Sequence, residues 1–171
     1  MILKEKGFVL RNYRRGDEAS LQGNVNNRNV SKHMCNISYP YTYKDAKKWI
    51  EDCIKSYNSK NKDKITLAID INGKVFGGIA IHDIKGHKAE FGYWLAQNYW
   101  GRGIMTKAVR LMVNHCFKNL NLKRVYAYTF ADNKQSARVL EKNGFKKEGL
   151  IEKHATKNGK FVDCYLYAKT K

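Results

Sequence analysis

The sequence predicts a mixed α/β fold of the α+β type, in which about four helices flank a mostly antiparallel sheet. The main observation is a change of hydrophobic period along the chain. Apolar residues recur at helical spacing over residues 46–57, whereas they alternate as in a strand over residues 65–71. The predicted order is β-α-α-β-β-β-α-β-α-β-β. With 171 residues, 43% of them hydrophobic, the chain is long enough to bury a core, and we expect a single domain over residues 1–171.

The first third of the chain is predicted to hold one strand and two helices. The strand runs from Gly7 to Arg11, and Asp17 offers an N-cap for a short helix through Val25. Residues 26–41 are rich in Asn and Ser and lack a clean period, which predicts a loop with a helical turn. Thr42 to Asp45 resembles a capping signal. The helix after it places these side chains on one face: Ala46, Trp49, Ile50, Cys53, Ile54 and Tyr57.

The middle of the chain is predicted to form a three-stranded meander. A strand over residues 65–71 is followed by Asn72-Gly73, which indicates a two-residue hairpin because a type I′ turn needs positive φ at both central positions. The returning strand covers residues 74–84, with a bulge at Gly77-Gly78. After a turn at residues 85–88, the third strand extends from Ala89 to Leu95.

The second half is predicted to alternate helices and strands before a final hairpin. A helix from Ile104 to Phe117 precedes a strand from Val125 to Phe130. A helix from Asn133 to Asn143 then ends at Gly144, which suits the left-handed position after a helix. Two last strands surround Asn158-Gly159, another hairpin signal.

The charge balance is strongly basic, with 33 Lys and Arg against 15 Asp and Glu and a net charge of +18. Such a chain favours anionic partners such as nucleic acid or phosphorylated cofactors, although a lysine-rich source genome would produce the same excess. No apolar run approaches the roughly 20 residues that a membrane span needs. The N-terminus also lacks the apolar region of a secretion signal. We therefore expect a cytoplasmic protein with no membrane partner.

Neither a metal site nor a disulfide framework is expected from the cysteines and histidines. The chain has no CxxC pair, and its histidines show no HExxH or His-x-His spacing. Cys53 and Cys116 fall on apolar faces of predicted helices, so we expect them to be small core residues.

A glycine-containing loop opens the helix that begins near Ile104. Gly101 and Gly103 allow the backbone to approach a ligand closely, and the first turn of the helix leaves backbone N–H groups without partners. These donors and the positive end of the helix dipole predict an anion site, to which Arg102 adds charge. The spacing matches neither a Walker loop nor GxGxxG, so the loop alone is also compatible with a tight turn before a packing helix.

Two motifs resemble a known family. The run Asn98-Tyr99-Trp100-Gly101-Arg102-Gly103 is similar to the acyl-CoA loop [RQ]-x-x-G-x-[GA] of the GNAT N-acetyltransferases, with Asn98 at the first position. Together with Gly92-Tyr93-Trp94-Leu95, it resembles the RimJ/RimL branch of ribosomal-protein N-terminal acetyltransferases. Residues 133–145 match that branch's N-x-x-S-x-x-x-x-E-x-x-G-F helix. The resemblance covers nearly the whole chain and implies the acyl-CoA N-acyltransferase fold.

The resemblance also implies acetyl-CoA as cosubstrate and a role for each matching residue. The pantetheine arm is expected beside Leu95, and Asn133 is expected to bond the pantetheine or to cap its helix. The pyrophosphate is expected on the backbone N–H groups of these residues: Trp100, Gly101, Arg102, Gly103, Ile104, Met105 and Thr106.

For catalysis, the resemblance implies Glu90 as a base acting through water. His87, a few residues upstream in a predicted turn, is an alternative base. Many GNAT enzymes use a Tyr on the later helix as the acid, but Leu140 occupies that position here and cannot donate a proton. Ser136 is the acid in the RimJ/RimL branch and is present in this chain. A plain surface carboxylate at Glu90 and a first-turn helix serine at Ser136 are the structural alternatives.

The sequence thus predicts an acetyl-CoA-dependent N-acetyltransferase that acts on a primary amine. The favoured acceptor is the α-amino group of a peptide or protein, and a ribosomal protein is one candidate. A small amine such as an amino acid, amino sugar or antibiotic stays open, whereas a basic protein repels a polyamine at long range. A ribosome- or nucleic-acid-binding module on the same scaffold is the alternative from another class. Monomer and homodimer both remain open.

Overall fold

One eight-stranded sheet runs through the part of the chain that the computed structural model describes, residues 1–59 and 63–171. The strands are β1 (Ile2–Glu5), β2 (Phe8–Asn12), β3 (Ile65–Ile71), β4 (Lys74–Lys85), β5 (Lys88–Leu95), β6 (Arg124–Phe130), β7 (Lys146–Lys157) and β8 (Lys160–Thr170). The helices are α1 (Glu18–Val25), α2 (Arg28–Ser31), α3 (Tyr43–Asn58), α4 (Ile104–Lys118) and α5 (Lys134–Lys142). A 3-10 turn covers Gln97–Tyr99.

The sheet order is β1-β2-β3-β4-β5-β6-β8-β7, and every neighbouring pair is antiparallel except β5 with β6. The predicted mixed, mostly antiparallel sheet is confirmed. The structure adds β1, in which two apolar residues are followed by Lys4 and Glu5, and this strand forms an edge of the sheet. It also resolves the predicted helical turn in residues 26–41 as the four-residue helix α2.

Two local predictions need correction. Asp17 does occupy the N-cap position of α1, but its side chain makes no capping hydrogen bond because it accepts from Arg11 and from the backbone N–H of Arg14. The bulge in β4 lies at Phe76, since Ile69 pairs with Gly77 and Asp70 pairs with Val75.

The glycine pair beside this bulge serves close packing. A Cβ on Gly77 would lie 2.8 Å from the carbonyl oxygen of Trp94, and one on Gly78 would lie 2.5 Å from both the Trp94 indole nitrogen and the Tyr13 hydroxyl. Larger residues would therefore push the neighbouring strand and these aromatic side chains away.

Apolar side chains form a core on each face of the sheet. Helices α4 and α5 cover one face, where Met112, Cys116 and Leu140 are fully buried. Helices α1 and α3 cover the other, where Ile50 and Cys53 are buried. The expected core positions of both cysteines are confirmed. Because both faces are covered, an opening for ligands has to arise within the plane of the sheet.

A buried ion-pair network holds the N-terminal elements together. The Arg11 guanidinium contacts Asp17 at 2.7 Å and Asp70 at 2.5 Å, and all three side chains are almost completely enclosed. The network joins β2, the start of α1 and β3.

No helix within the described residues is long and apolar enough to cross a lipid bilayer.

Candidate active site

The opening lies where the two parallel strands β5 and β6 separate. They pair at only three positions, from Lys88 with Arg124 to Glu90 with Tyr126. Beyond Glu90 the strands diverge, and a cleft of about 900 Å³ opens between them. Glu90 therefore stands at the point of separation. The cleft is bounded further by the N-terminal ends of α4 and α5 and by residues of β7.

The edge of β5 beyond this point offers backbone groups to an extended ligand. The Ala96 N–H donates to Phe76 of β4 at 2.7 Å. Because successive residues of a strand direct their N–H and C=O groups to opposite edges, those of Tyr93 and Leu95 face the cleft. The Trp100 indole N–H donates to the Leu95 carbonyl at 2.8 Å, which fastens the glycine loop to the end of the strand.

The glycine loop forms a donor site at the start of α4. Gly101 and Gly103 have φ values of +74° and +73°, which L-residues adopt at a cost, and Gly103 is the N-cap of the helix. No side chain caps this end, and the first backbone helix bond runs from the Lys107 N–H to Gly103. The N–H groups of Ile104, Met105 and Thr106 thus have no intrahelical acceptor and are directed out of the helix end, as an anion requires.

The structure brings all the predicted cofactor-binding residues to this cleft except Arg102. The cleft is lined by Leu95, Trp100, Gly101, Gly103, Ile104, Met105, Thr106 and Asn133. The Arg102 guanidinium instead lies over the Tyr99 ring, 5.2 Å from its centroid. The sequence predicted that Arg102 would add its charge beside the anion site, and the side chain does not do so.

Ser136 faces the cleft from the first turn of α5. The Asn133 side chain accepts from the Ser136 N–H at 3.1 Å, which confirms the capping alternative for Asn133. The Ser136 hydroxyl lies 2.9 Å from the hydroxyl of Tyr93. Leu140, one turn further along, is completely buried in the core. The sequence motif contained Tyr93, but only the tertiary structure shows that it contacts Ser136.

Glu90 also lines the cleft, with its side chain 25% exposed. Burial raises the pKa of the Glu90 carboxyl above its usual value, while the nearby imidazoles of His82 and His154 act in the opposite direction. His82 is the cross-strand partner of Glu90, with its Nε2 3.8 Å from the carboxylate. A carboxylate with a raised pKa is better suited to remove a proton near neutral pH.

The histidine that stands beside Glu90 is His82 rather than the predicted His87. His87 lies in the turn between β4 and β5, is exposed, and is not among the residues that line the cleft. Its carbonyl accepts from the N–H groups of Lys123 and Arg124, so the turn supports β6. The register of the β4–β5 hairpin could have indicated His82, but the pairing is irregular between His82 and Lys85, and the sequence does not show this shift.

A segment that we call the crossing segment, residues 27–37, contacts elements on both sides of the cleft. Asn27 donates to the Gln97 side chain at 3.0 Å, next to the end of β5. His33 lies 3.4 Å from Asp132, which follows β6. Lys157, at the end of β7, donates to the carbonyls of Met34 and Ile37 at 2.7 and 2.6 Å.

The arrangement fits an extended ligand with an anionic group at one end. The uncapped helix α4 supplies backbone donors for phosphate, the edge of β5 supplies alternating donors and acceptors, and Glu90 lies at the inner end of the gap. This set suits acetyl-CoA, with its pyrophosphate, its two amide groups and its thioester.

Comparison with known proteins agrees with this geometry. The family described as "Acetyltransferase (GNAT) domain" matches residues 8–146. A putative ribosomal N-acetyltransferase, YdaF of Bacillus subtilis strain 168, is 33% identical over 80% of this chain and 73% of its own length. The L-amino acid N-acetyltransferase AaaT of Escherichia coli strain K12 is 33% identical over 61% of this chain and 67% of its own. The uncharacterized N-acetyltransferase p20 of Bacillus licheniformis is 30% identical over 64% of this chain, and the match spans only 62% of p20.

Solved structures share the fold over almost the whole chain. The microcin C7 self-immunity acetyltransferase MccE, in complex with acetyl-CoA and AMP, superposes with a TM-score of 0.87 at 25% identity, covering 98% of this chain and 94% of that one. The ribosomal L7/L12 α-N-protein acetyltransferase RimL, in complex with coenzyme A, gives 0.89 at 20% identity, covering 99% and 98%. The mixed sheet is thus the acyl-CoA N-acyltransferase fold. The chain belongs to the GNAT family of acetyl-CoA-dependent N-acetyltransferases.

Proposed function

We propose that residues 1–171 form one domain that transfers the acetyl group of acetyl-CoA to the α-amino group of a peptide or protein. The observation that carries the proposal is the position of Glu90 at the separation of β5 and β6, with the donors of α4 lining the same cleft. The proton acceptor and the anion site therefore border one continuous space. An amine that enters beside Glu90 would meet the ligand that α4 holds.

The residues that line the cleft suit the parts of acetyl-CoA. The N–H groups at the start of α4 would hold the pyrophosphate, and the backbone edge of Tyr93 and Leu95 would pair with the pantetheine amides. Acetyl-CoA supplies an activated thioester, so the acetyl group moves to the amine and CoA leaves as a thiolate.

In this proposal Glu90 removes the proton that the amine must lose. An ammonium ion has no lone pair, so the acceptor becomes reactive only after a base has taken a proton, directly or through water. Burial raises the pKa of Glu90 and so brings it closer to neutral pH. The neighbouring His82 and the solvent can then receive that proton from Glu90.

Ser136 supplies the proton for the departing thiolate. Its hydroxyl lies in the first turn of α5, and the hydrogen bond that its backbone N–H donates to the Asn133 side chain positions its backbone. Leu140 cannot replace it, because this residue is buried and carries no proton to give. Ser136 is therefore the hydroxyl on α5 that we assign to this step.

The relatives support a peptide or protein acceptor, including a ribosomal protein. YdaF is a putative ribosomal N-acetyltransferase, and it matches 80% of this chain at 33% identity. A cytoplasmic location, with either a monomer or a homodimer as the working form, belongs to the same proposal.

A small-molecule amine is the second candidate, and the crossing segment favours it. This segment is fastened at Gln97, at Asp132 and at Lys157, so it narrows the access to the cleft from both sides. A covered pocket suits a free amino acid better than a protein N-terminus. AaaT, an L-amino acid N-acetyltransferase, is also among the relatives.

A competition experiment separates these acceptors. The protein and acetyl-CoA would be mixed with equal concentrations of N-terminal peptides, free amino acids, aminoglycosides and spermidine, and thiol release and the acetylated products would be measured. Preferred acetylation of a peptide α-amine is expected. Preferred acetylation of a free amino acid or a drug would replace the peptide proposal with the second candidate. No turnover, together with salt-sensitive RNA binding, would indicate a binding module, which the net charge of +18 would suit.

A further inference from the structure

Two hydroxyl groups meet at the wall of the cleft. The Tyr93 hydroxyl lies 2.9 Å from the Ser136 hydroxyl and 3.1 Å from the Ser136 carbonyl oxygen. The Tyr93 ring is held at the sheet by an edge contact with Phe91, with 6.3 Å between ring centroids. Both residues of the pair line the cleft. Tyr93 is thus a second hydroxyl beside the proposed acid, supplied by a different element of the fold.

The donor and acceptor roles follow from the number of protons. The Tyr93 hydroxyl has one proton and two neighbouring oxygens, and the carbonyl of Ser136 can only accept. In the resting pair Tyr93 donates to this carbonyl, which leaves its own oxygen free to accept from Ser136. When Ser136 loses its proton, its oxygen becomes a charged and much stronger acceptor, and the Tyr93 hydroxyl oxygen that can donate to it is 2.9 Å away.

We propose that Tyr93 is a positioning residue for acetyl transfer, which orients the Ser136 hydroxyl and donates a hydrogen bond to its oxygen as Ser136 protonates the leaving thiolate. This inference rests on the proposed role of Ser136. In the step itself the O–H bond of Ser136 breaks and the S–H bond of CoA forms. Ser136 regains a proton from water after CoA has left, so the enzyme returns to its starting state.

The surroundings of Tyr93 keep it in the form that this role requires. Burial raises the pKa of the Tyr93 hydroxyl above its usual value, so the phenol keeps its proton over the working pH range and remains a donor. Serine by itself is a very weak acid, and a neighbouring donor lowers the cost of forming its anion.

The first test is a double-mutant cycle on turnover. Tyr93→Phe removes the hydroxyl and keeps the ring, so kcat should fall by about 10- to 100-fold, the effect of losing a hydrogen bond to a charged oxygen. The dissociation constant of acetyl-CoA should stay the same. In a Ser136→Ala background, Tyr93→Phe should change kcat by less than about twofold, because its partner is already gone. Tyr165→Phe, outside the cleft on β8, is the matched control and should leave kcat unchanged.

A binding measurement gives a second readout. With CoA bound, the Ser136 hydroxyl should donate to the sulfur while Tyr93 donates to the Ser136 oxygen, so the wild-type protein should bind CoA about two- to tenfold more tightly than desulfo-CoA, by calorimetry. Both Tyr93→Phe and Ser136→Ala should reduce this ratio. Independent effects of the two substitutions on kcat, or an unchanged ratio in Tyr93→Phe, would overturn the role of Tyr93. If Ser136→Ala alone changes neither kcat nor the ratio, the proposed acid is wrong, which is a different failure.

Discussion

Replacing Asp17 with Asn should destabilise the fold strongly, although Asp17 lies outside the cleft. The Asp17 carboxylate accepts from two Arg11 nitrogens at 2.7 and 2.8 Å and from the Arg14 N–H at 2.9 Å. Its side chain is only 3% exposed. An Asn side chain has one carbonyl oxygen, and its NH₂ group would face the guanidinium. The substitution therefore removes the charge and also sets two donors against each other.

The expected loss of stability depends on the contacts that Arg11 retains. Breaking a buried ion pair by removing one partner costs about 3–5 kcal/mol, because the other charge is left without compensation. Here Arg11 still contacts Asp70 at 2.5 Å, so we expect the lower end, about 3 kcal/mol. For a chain of this size this corresponds to a fall in Tm of about 6–12 °C.

Urea and thermal unfolding would measure this change. The matched control is Glu148→Gln, which breaks the bidentate contact of Glu148 with Arg124 at a surface where the Glu148 side chain is 40% exposed. An exposed pair contributes at most about 1 kcal/mol, so the control should change Tm little. Equal losses from the two substitutions, or a loss below 1 kcal/mol at Asp17, would refute the assignment of the network as a stabilising element.

Three further predictions concern the cleft. Glu90→Gln should lower kcat/KM by about 10²- to 10⁴-fold and remove its acid limb. A carboxyl whose pKa is raised by burial binds its proton more tightly when folded, so ionised Glu90 costs stability above its folded pKa. Glu90→Gln should therefore raise Tm at neutral pH, and this gain in Tm should vanish well below pH 4.5. An unchanged kcat/KM, or a lower Tm at pH 7, would contradict this account. Gly103→Val should weaken acetyl-CoA binding by at least about tenfold with native circular dichroism, because a left-handed backbone and an open approach are both lost. The control Gly159→Val, at φ +74° in the β7–β8 turn and not among the residues that line the cleft, should leave the affinity unchanged. Lys157→Met should raise the KM for the acceptor and the amide exchange rate of the crossing segment, without changing the affinity for acetyl-CoA. An unchanged exchange rate would show that Lys157 does not hold the crossing segment in place.

The sequence by itself determined most elements and their order. Local signals were sufficient where neighbouring residues decide the conformation, as in the capping box of Thr42 and Asp45, the Asn72-Gly73 turn and the glycine before α4. The family motifs then indicated the backbone that we propose for cofactor binding, which depends on loop geometry more than on side chains. The short segment Ile2–Glu5 carries no strand signal of its own, and β1 is stabilised by its antiparallel pairing with β2.

Only the tertiary structure decided which side chains meet. The Asp17 side chain makes no capping hydrogen bond, because its carboxylate accepts from Arg11 of another element. Arg102 turns to the ring of Tyr99 rather than to the cleft. The contact of Tyr93 with Ser136 joins residues that are 43 positions apart in the chain, which no local signal predicts. The contact of His82 with Glu90 depends on the register of the β4–β5 hairpin. Such contacts depend on strand register and on how the sheet opens, and these are set by the packing of the whole chain.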